Sequence, residues 1–377
     1  MTRHRDRSRR SSWRLPVALA TVALAVLAWG VAGRFTPERD APSRPGPQQS
    51  EGAPIVVPVV PVGGDTPAGR VTEAEALAAV DAAAQAGAVG VRMTADMRWL
   101  CPTPTCTTAP LDPLVARAQQ RDLRVYIHVN STPAWMDDRG RWYAPTGDDA
   151  VTWAGLFAQL VEHFGTTVAG YEVWNEPNNE EFWAQGPDPG EYADLLKAVW
   201  TASKAVSPDA QLIGAVLSNN DLGYMRALDA ALVERGGNRE NSYFYDQLGV
   251  HPYAGGRDTG YEPGLPPGSR SVQVATGEKD MTFLGVERLR AQVAEDEGIW
   301  RRVVIGEFGY DTTPGNWYYV PEPTRSEYLE DALHIAAGWD WLDGFTVYGD
   351  GPYLDDGWSL VGTPSEAVLR NYVARNG

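Results

Sequence analysis

Tyr171-Glu172-Val173-Trp174-Asn175-Glu176-Pro177-Asn178 reads as a strand that ends in chemistry. An aromatic and β-branched run is followed at once by an amide, a carboxylate and a proline that stops the extended chain. The stretch Val304-Ile305-Gly306-Glu307-Phe308-Gly309 is built in the same way. Working outward from these two, the chain beyond Ala53 alternates short β-branched runs with amphipathic helical segments. Strands are expected at Ile55 to Val60, Val89 to Met93, Arg124 to Val129, Ala169 to Trp174, Gln211 to Ala215, Gln247 to His251, Val303 to Gly306 and Gly344 to Tyr348. Helix-start signals lie between them: Asp112 before Pro113, Asp188 before Pro189, and the capping boxes Thr324 to Glu327 and Thr363 to Glu366. No stretch repeats the preceding one, and the alternation is that of an α/β protein. The first strand is the least regular, because Pro58 and Pro61 each remove a ladder donor.

Such units over residues 54–377 close as a (β/α)8 TIM barrel, with an open doubly wound sheet as the structural rival. The rival calls for a phosphate-binding fingerprint. The chain has no G-x-G-x-x-G after its first strand and no G-x-x-x-x-G-K-[ST] anywhere. The barrel is therefore the expected fold.

The chain has 377 residues, 43% of them hydrophobic, with Lys+Arg 32 against Asp+Glu 49 and a formal charge of -17. An acidic chain lacks the basic footprint that neutralises phosphates, which argues against a nucleic-acid partner. The aromatic content argues against disorder. Residues 1–33 differ in kind: Arg3, Arg5, Arg7, Arg9, Arg10 and Arg14 precede an apolar run from Val17 to Ala32. The run is intermediate in length between a signal-peptide core and a spanning helix, so it reads as an export signal or an uncleaved membrane anchor, the latter slightly favoured. Its arginines would stay inside and put the rest of the chain outside. A Pro-rich linker, residues 34–53, follows, and residues 54–377 form the expected barrel domain. Cys101 and Cys106 are the two cysteines, and in an oxidising compartment they could close a small disulfide loop. A metal centre is not expected, since there are five His and no H-x-H or H-E-x-x-H. No cofactor is implied, and a monomer is expected.

In a barrel the active site lies at the carboxyl ends of the strands. Polar residues recur there: Arg92, His128 with Asn130, Asn175 with Glu176, His251 with Tyr253, Glu307, and Tyr348 with Asp350. The fourth and seventh strands lie across the barrel from each other, so Glu176 and Glu307 are expected to face one another. Glycoside hydrolysis requires such a pair: one carboxylic acid protonates the leaving oxygen while the other attacks the anomeric carbon or activates water.

Trp174-Asn175-Glu176-Pro177, His251-Pro252-Tyr253 and Gly306-Glu307-Phe308-Gly309, in that order on the fourth, sixth and seventh strands, resemble the clan A glycoside hydrolases, which are retaining (β/α)8 enzymes. The form Trp-Asn-Glu-Pro-Asn, with Thr132-Pro133-Ala134-Trp135 after the third strand, is closest to family 39-like members. The resemblance covers about residues 87 to 350. It implies that Glu176 is the acid/base, that Glu307 is the nucleophile, and that Asn175 holds the sugar 2-hydroxyl. It also implies that Tyr253 hydrogen-bonds Glu307 and that Arg92 helps to orient that carboxylate. The clan usually places Trp at the end of the eighth strand, where this chain has Phe345-Thr346-Val347-Tyr348, so Tyr348 is the residue that can stack there.

Trp135, Trp183 and Trp317 fall in loops after strands three, four and seven and are candidate sugar-stacking rings, whereas Trp153, Trp200 and Trp339 fall in helices and read as packing. His251 is a candidate site residue, and His128 reads as a core histidine. The function expected is an exported retaining hydrolase of O-glycosidic bonds in a poly- or oligosaccharide. The alternatives are a catalytically silent carbohydrate-binding barrel, or a membrane-tethered endoglycosidase that trims the cell's own exopolysaccharide.

Overall fold

The computed structural model describes residues 52–66, 69–255, 264–270, 278–349 and 357–376. The basic and apolar segment, nearly all of the linker, and Asp350 lie outside the described residues. By contacts the chain divides into Met1–Ala41 and Pro42–Gly377, and every described residue belongs to the second unit. Among the described residues no helix is long and apolar enough to cross a membrane.

Eight parallel strands close on themselves: β1 Ile55–Pro58, β2 Gly90–Asp96, β3 Arg124–Asn130, β4 Gly170–Val173, β5 Leu212–Ser218, β6 Gln247–His251, β7 Val303–Phe308 and β8 Leu342–Val347. Each pairs with its neighbours in sequence, and β1 pairs with both β2 and β8. The connecting helices are α1 Glu73–Gln85, α2 Asp112–Gln120, α3 Asp148–Phe164, α4 Pro189–Val206, α5 Leu222–Glu234, α6 Gly285–Glu297, α7 Glu322–Ala337 and α8 Pro364–Asn376. The architecture is the expected barrel.

The prolines of the first strand are accommodated by register. Pairing of β1 with β8 runs only through Ile55↔Phe345 and Val56↔Thr346, so Pro58 falls past the last registered pair on that side. On the other side Val59 N–H closes the ladder by donating to Arg92 O. Asp188 caps α4 as expected, accepting from the N–H groups of Gly190 and Glu191. The box at Thr324 to Glu327 is a correction. Pro321 is the N-cap of α7 and the helix begins at Glu322, which places Thr324 inside the first turn. Asp112 is the first residue of α2 and Leu111 its cap.

Alternation along the strands divides the barrel into two regions. Val91, Met93, Val125, Ile127 and Val129 point outward into the core beneath the helices. Val56, Tyr126, Ile213, Val216 and Val304 form a small apolar plug inside. Above that plug, toward the carboxyl ends, the inward positions become polar, and the site begins there.

Candidate active site

Glu176 follows β4 after a sharp change of direction. Trp174 and Glu176 hold left-handed backbone, with φ 68° and 40°, where non-glycine residues are strained. The turn is held from outside by Trp174, whose indole N–H donates to Phe182 O at 2.8 Å, and by the Glu176 N–H, which donates to Val216 O at 3.1 Å. The Glu176 carboxylate accepts from Asn179 Nδ2 at 2.8 Å and lies 2.9 Å from His251 Nδ1. Glu307, on β7, accepts from the Tyr253 hydroxyl at 3.1 Å and faces Arg92 Nη1 at 3.5 Å. One oxygen of each carboxylate and the His251 nitrogen all lie within 4.8 Å of one another. Tyr253, Arg92, His251, Glu176 and Glu307, contributed by β2, β4, β6 and β7, are thus brought into one cluster.

Beneath the carboxylates is a charge layer that includes a residue the sequence reading left without a role. Arg92 Nε and Nη2 donate to the two oxygens of Glu172 at 2.8 and 2.6 Å. Glu172 is on β4, 1% exposed. The signal was present, because Glu172 occupies an inward position by the two-residue period of a strand. Burial alone would raise its pKa, but the Arg92 charge and its hydrogen bonds win and hold Glu172 down to about 2. His128, expected from the sequence to be a core histidine, is buried but lines the same interior cavity as Arg92, and burial followed by the Arg92 charge pushes it down to about 3.

His251 is fully buried, and desolvation disfavours its charge, yet Glu307 and Glu176 together raise its pKa. Glu176 is lowered in turn: burial works against this, and the hydrogen bond and charge of His251 outweigh it. We read the two as one unit that holds a single proton, resting on Nδ1. Glu176, His251 and Glu307 are also, among the described residues, a group spaced to hold a metal ion. Gly306 permits the close packing, since a Cβ there would lie 2.8 Å from His251 Nε2.

Two cavities meet at Glu307. The outer one, of about 550 Å³, is bounded by Glu176, Phe182, Lys279, Trp317, Tyr318 and Trp358 among others. The inner one, of about 260 Å³, holds Arg92, His128, Asn130, Asn175, Thr346 and Tyr348 on its wall. Trp317 is 50% exposed and borders the outer cavity. Trp183 is a correction. It is 0% exposed, packed edge-on against Trp174 and Tyr192, because the loop after β4 folds inward to support the Glu176 turn. Trp135 is 40% exposed but borders neither cavity, and its indole N–H is tied to Cys101 O at 2.9 Å. Cys101 and Cys106 form a disulfide.

The end of β8 carries an aromatic group that the sequence reading found only in part. Tyr348 stands edge-on to Trp358 at 5.4 Å, Trp358 edge-on to Tyr253 at 5.6 Å, and Tyr253 stacks on Tyr318 at 5.0 Å. Trp358 comes from the loop after β8, not from the strand, so no strand-end pattern marks it.

No family model and no curated protein match the chain. Solved structures do. A family 39 glycoside hydrolase from the gut symbiont Bacteroides cellulosilyticus WH2 superposes with a TM-score of 0.60 at 20% identity, over 88% of this chain and 65% of that one. The fold is that of the family 39 glycoside hydrolases. A family 39 enzyme from Xanthomonas axonopodis pv. citri gives 0.59 at 17% identity, over 88% of this chain and 67% of its own. A family 39 β-xylosidase from Caulobacter crescentus gives 0.58 at 17%, over 89% and 73%. The present chain spans about two thirds of the length of the first two family 39 structures. At these identities the likeness is one of fold, and the chemistry has to be argued from the site.

Proposed function

We propose that this protein is a retaining glycoside hydrolase, with Glu307 as nucleophile and Glu176 as acid/base. The observation that carries this is the separation: the facing carboxylate oxygens lie within 4.8 Å, on the side of the roughly 5 Å spacing used for direct attack rather than the roughly 6.5 to 9.5 Å that leaves room for a water. Glu307 attacks the anomeric carbon while Tyr253 and Arg92 keep its oxygens aimed. The one proton of the pair moves from His251 Nδ1, 2.9 Å away, through Glu176 to the departing oxygen. Water then enters on the outer side, Glu176 takes its proton, and the glycosyl–Glu307 ester is cleaved with configuration retained. The likeness of fold to family 39 glycosidases supports the same reading.

The location proposed is outside the cytoplasm, by export or anchoring through residues 1–33. The arginine-flanked apolar run and the Cys101–Cys106 disulfide support it.

The test is new reducing ends released from a panel of polysaccharides and aryl glycosides, with proton NMR of the first-formed anomer. Glu307→Gln is expected to lower kcat at least about a thousand-fold, and the wild type to release product of the substrate's own configuration. First-formed product of opposite configuration would overturn the double displacement. Tight glycan binding with no turnover on any substrate would favour the silent binding barrel instead.

A further inference from the structure

The inner cavity contains an unusual concentration of unsatisfied polarity. Asn130 Oδ1, Asn175 Oδ1 and Thr346 Oγ1 have no hydrogen-bond partner although their residues are only 4%, 5% and 2% exposed, and all three residues stand on the cavity wall. Each buried polar atom left unpaired costs a protein about 1 to 3 kcal/mol, so three in one small chamber call for a ligand that completes them. Two of the three are acceptors and the third can accept. Their complement is a ring that carries several hydroxyl donors.

The charge of the chamber narrows the ligand further. Arg92 is a cation on its wall, and its Nε and Nη2 are spent on Glu172, with Nη1 turned to Glu307. The proton on His251 is committed to Glu176 at 2.9 Å. His128 is held neutral by burial and by Arg92. Among the described residues on this wall no positive charge is left uncommitted, while Glu307 already places a carboxylate there. A carboxylate on the sugar would have to shed its water, meet the two amide oxygens of Asn130 and Asn175, and lie beside Glu307 with no cation to receive it.

We propose that the inner cavity takes only a neutral sugar, met by Asn130 and Thr346 beside the Asn175 contact that the family resemblance implies, and that it excludes uronic acids. This rests on the glycosidase reading above and adds the substrate class. Specificity here is chiefly a rejection, because a site of buried acceptors discriminates strongly against a group it cannot pair.

The experiment compares full-length protein on 4-methylumbelliferyl glycosides of neutral sugars and of uronic acids with the same leaving group. The best neutral substrate is expected to exceed the best uronide in kcat/KM by at least about a thousand-fold. A uronide turned over within ten-fold of the best neutral glycoside would overturn the proposal while leaving the glycosidase reading intact. A calorimetric arm removes dependence on turnover: hydrolysis-resistant thioglycosides of neutral sugars and of uronic acids are titrated into the wild-type protein, where the Glu307 charge and its contact with Arg92 are intact. Preferential binding of the neutral form upholds the subsite even where no hydrolysis is seen, and equal or tighter binding of the acid overturns it. Thr346→Val, nearly isosteric, is expected to lower neutral-sugar kcat/KM about ten-fold while Tm stays level or rises, since it deletes an unpaired buried hydroxyl. Asn130→Ala is expected to act in the same direction. If both variants lose Tm and keep affinity, the atoms serve the fold and the assignment fails.

Discussion

His251 carries one proton toward two carboxylates, and that single residue sets a pH limit. Its pKa is raised above the ordinary 6.5 by Glu307 and Glu176, against the opposing effect of burial. A raised value means that the protonated pair is fully formed below 6.5 and is lost as pH rises through the folded value. The alkaline limb of kcat/KM is therefore expected above that point. In His251→Asn, Glu176 must hold the proton alone, and the limb should move down by about 1 pH unit or more, read from the pH–rate profile. An unmoved limb would separate His251 from the proton pathway. Glu172 works in the opposite sense. Lowered from 4.5 to about 2, it contributes stability above 4.5 that is lost as pH falls through 2. Glu172→Gln leaves Arg92 half-partnered in the interior and is expected to cost about 3 kcal/mol at neutral pH by chemical denaturation. Part of that cost should disappear when the comparison is made near pH 2.

At the scale of elements, the loops after the strands separate packing from binding. Trp183 and Trp317 both read as loop tryptophans, but the loop after β4 folds back under the Glu176 turn whereas Trp317 borders the outer cavity. Trp183→Ala is expected to cost about 3 to 5 kcal/mol of stability, as large deletions in a packed interior do. Trp317→Ala is expected to cost clearly less stability than Trp183→Ala and to raise KM. Thermal melts and saturation curves on the two variants distinguish these fates. The strands were legible because a run of β-branched residues ending in polar ones marks a barrel strand locally. The loop tryptophans were not, because the direction a loop takes is decided by what it lands on. Trp358 shows the same point: Arg325, buried on α7, donates to the carbonyls of Gly357, Trp358 and Ser359 and so holds that loop in place.

On the scale of the whole molecule, the outer ring of helices contains its own buried acid. Asp229 on α5 is 5% exposed, its oxygens find no donor, and burial, with the negative charges of Glu297 and Asp296, pushes it up to about 9. It is therefore protonated in the folded state at neutral pH. A raised folded value contributes stability fully present below 3.8, which falls away as pH rises to about 9. Asp229→Asn keeps the shape, removes the titration and supplies an amide donor. It is expected to gain about 2 kcal/mol at pH 8 over wild type and much less at pH 5, measured by denaturant unfolding at both. A gain independent of pH would mean that Asp229 is not the titrating group.

By itself the sequence determined the α/β alternation, the eight strands in order, and the delivery of Glu176 and Glu307 to the carboxyl ends of the fourth and seventh of them. These follow from local rules: period-two alternation, strand-ending prolines and caps, and the geometry common to all such barrels. Only the tertiary structure decided which groups meet. The Arg92–Glu172 pair joins residues 80 positions apart, and His251 reaches Glu176 across 75. The orphaned acceptors of the inner cavity, the inward fold of Trp183 and the arrival of Trp358 likewise belong to closure. Partnership, burial and hence charge state are properties of the neighbours a side chain acquires when the barrel closes, and no stretch of chain contains its own neighbours.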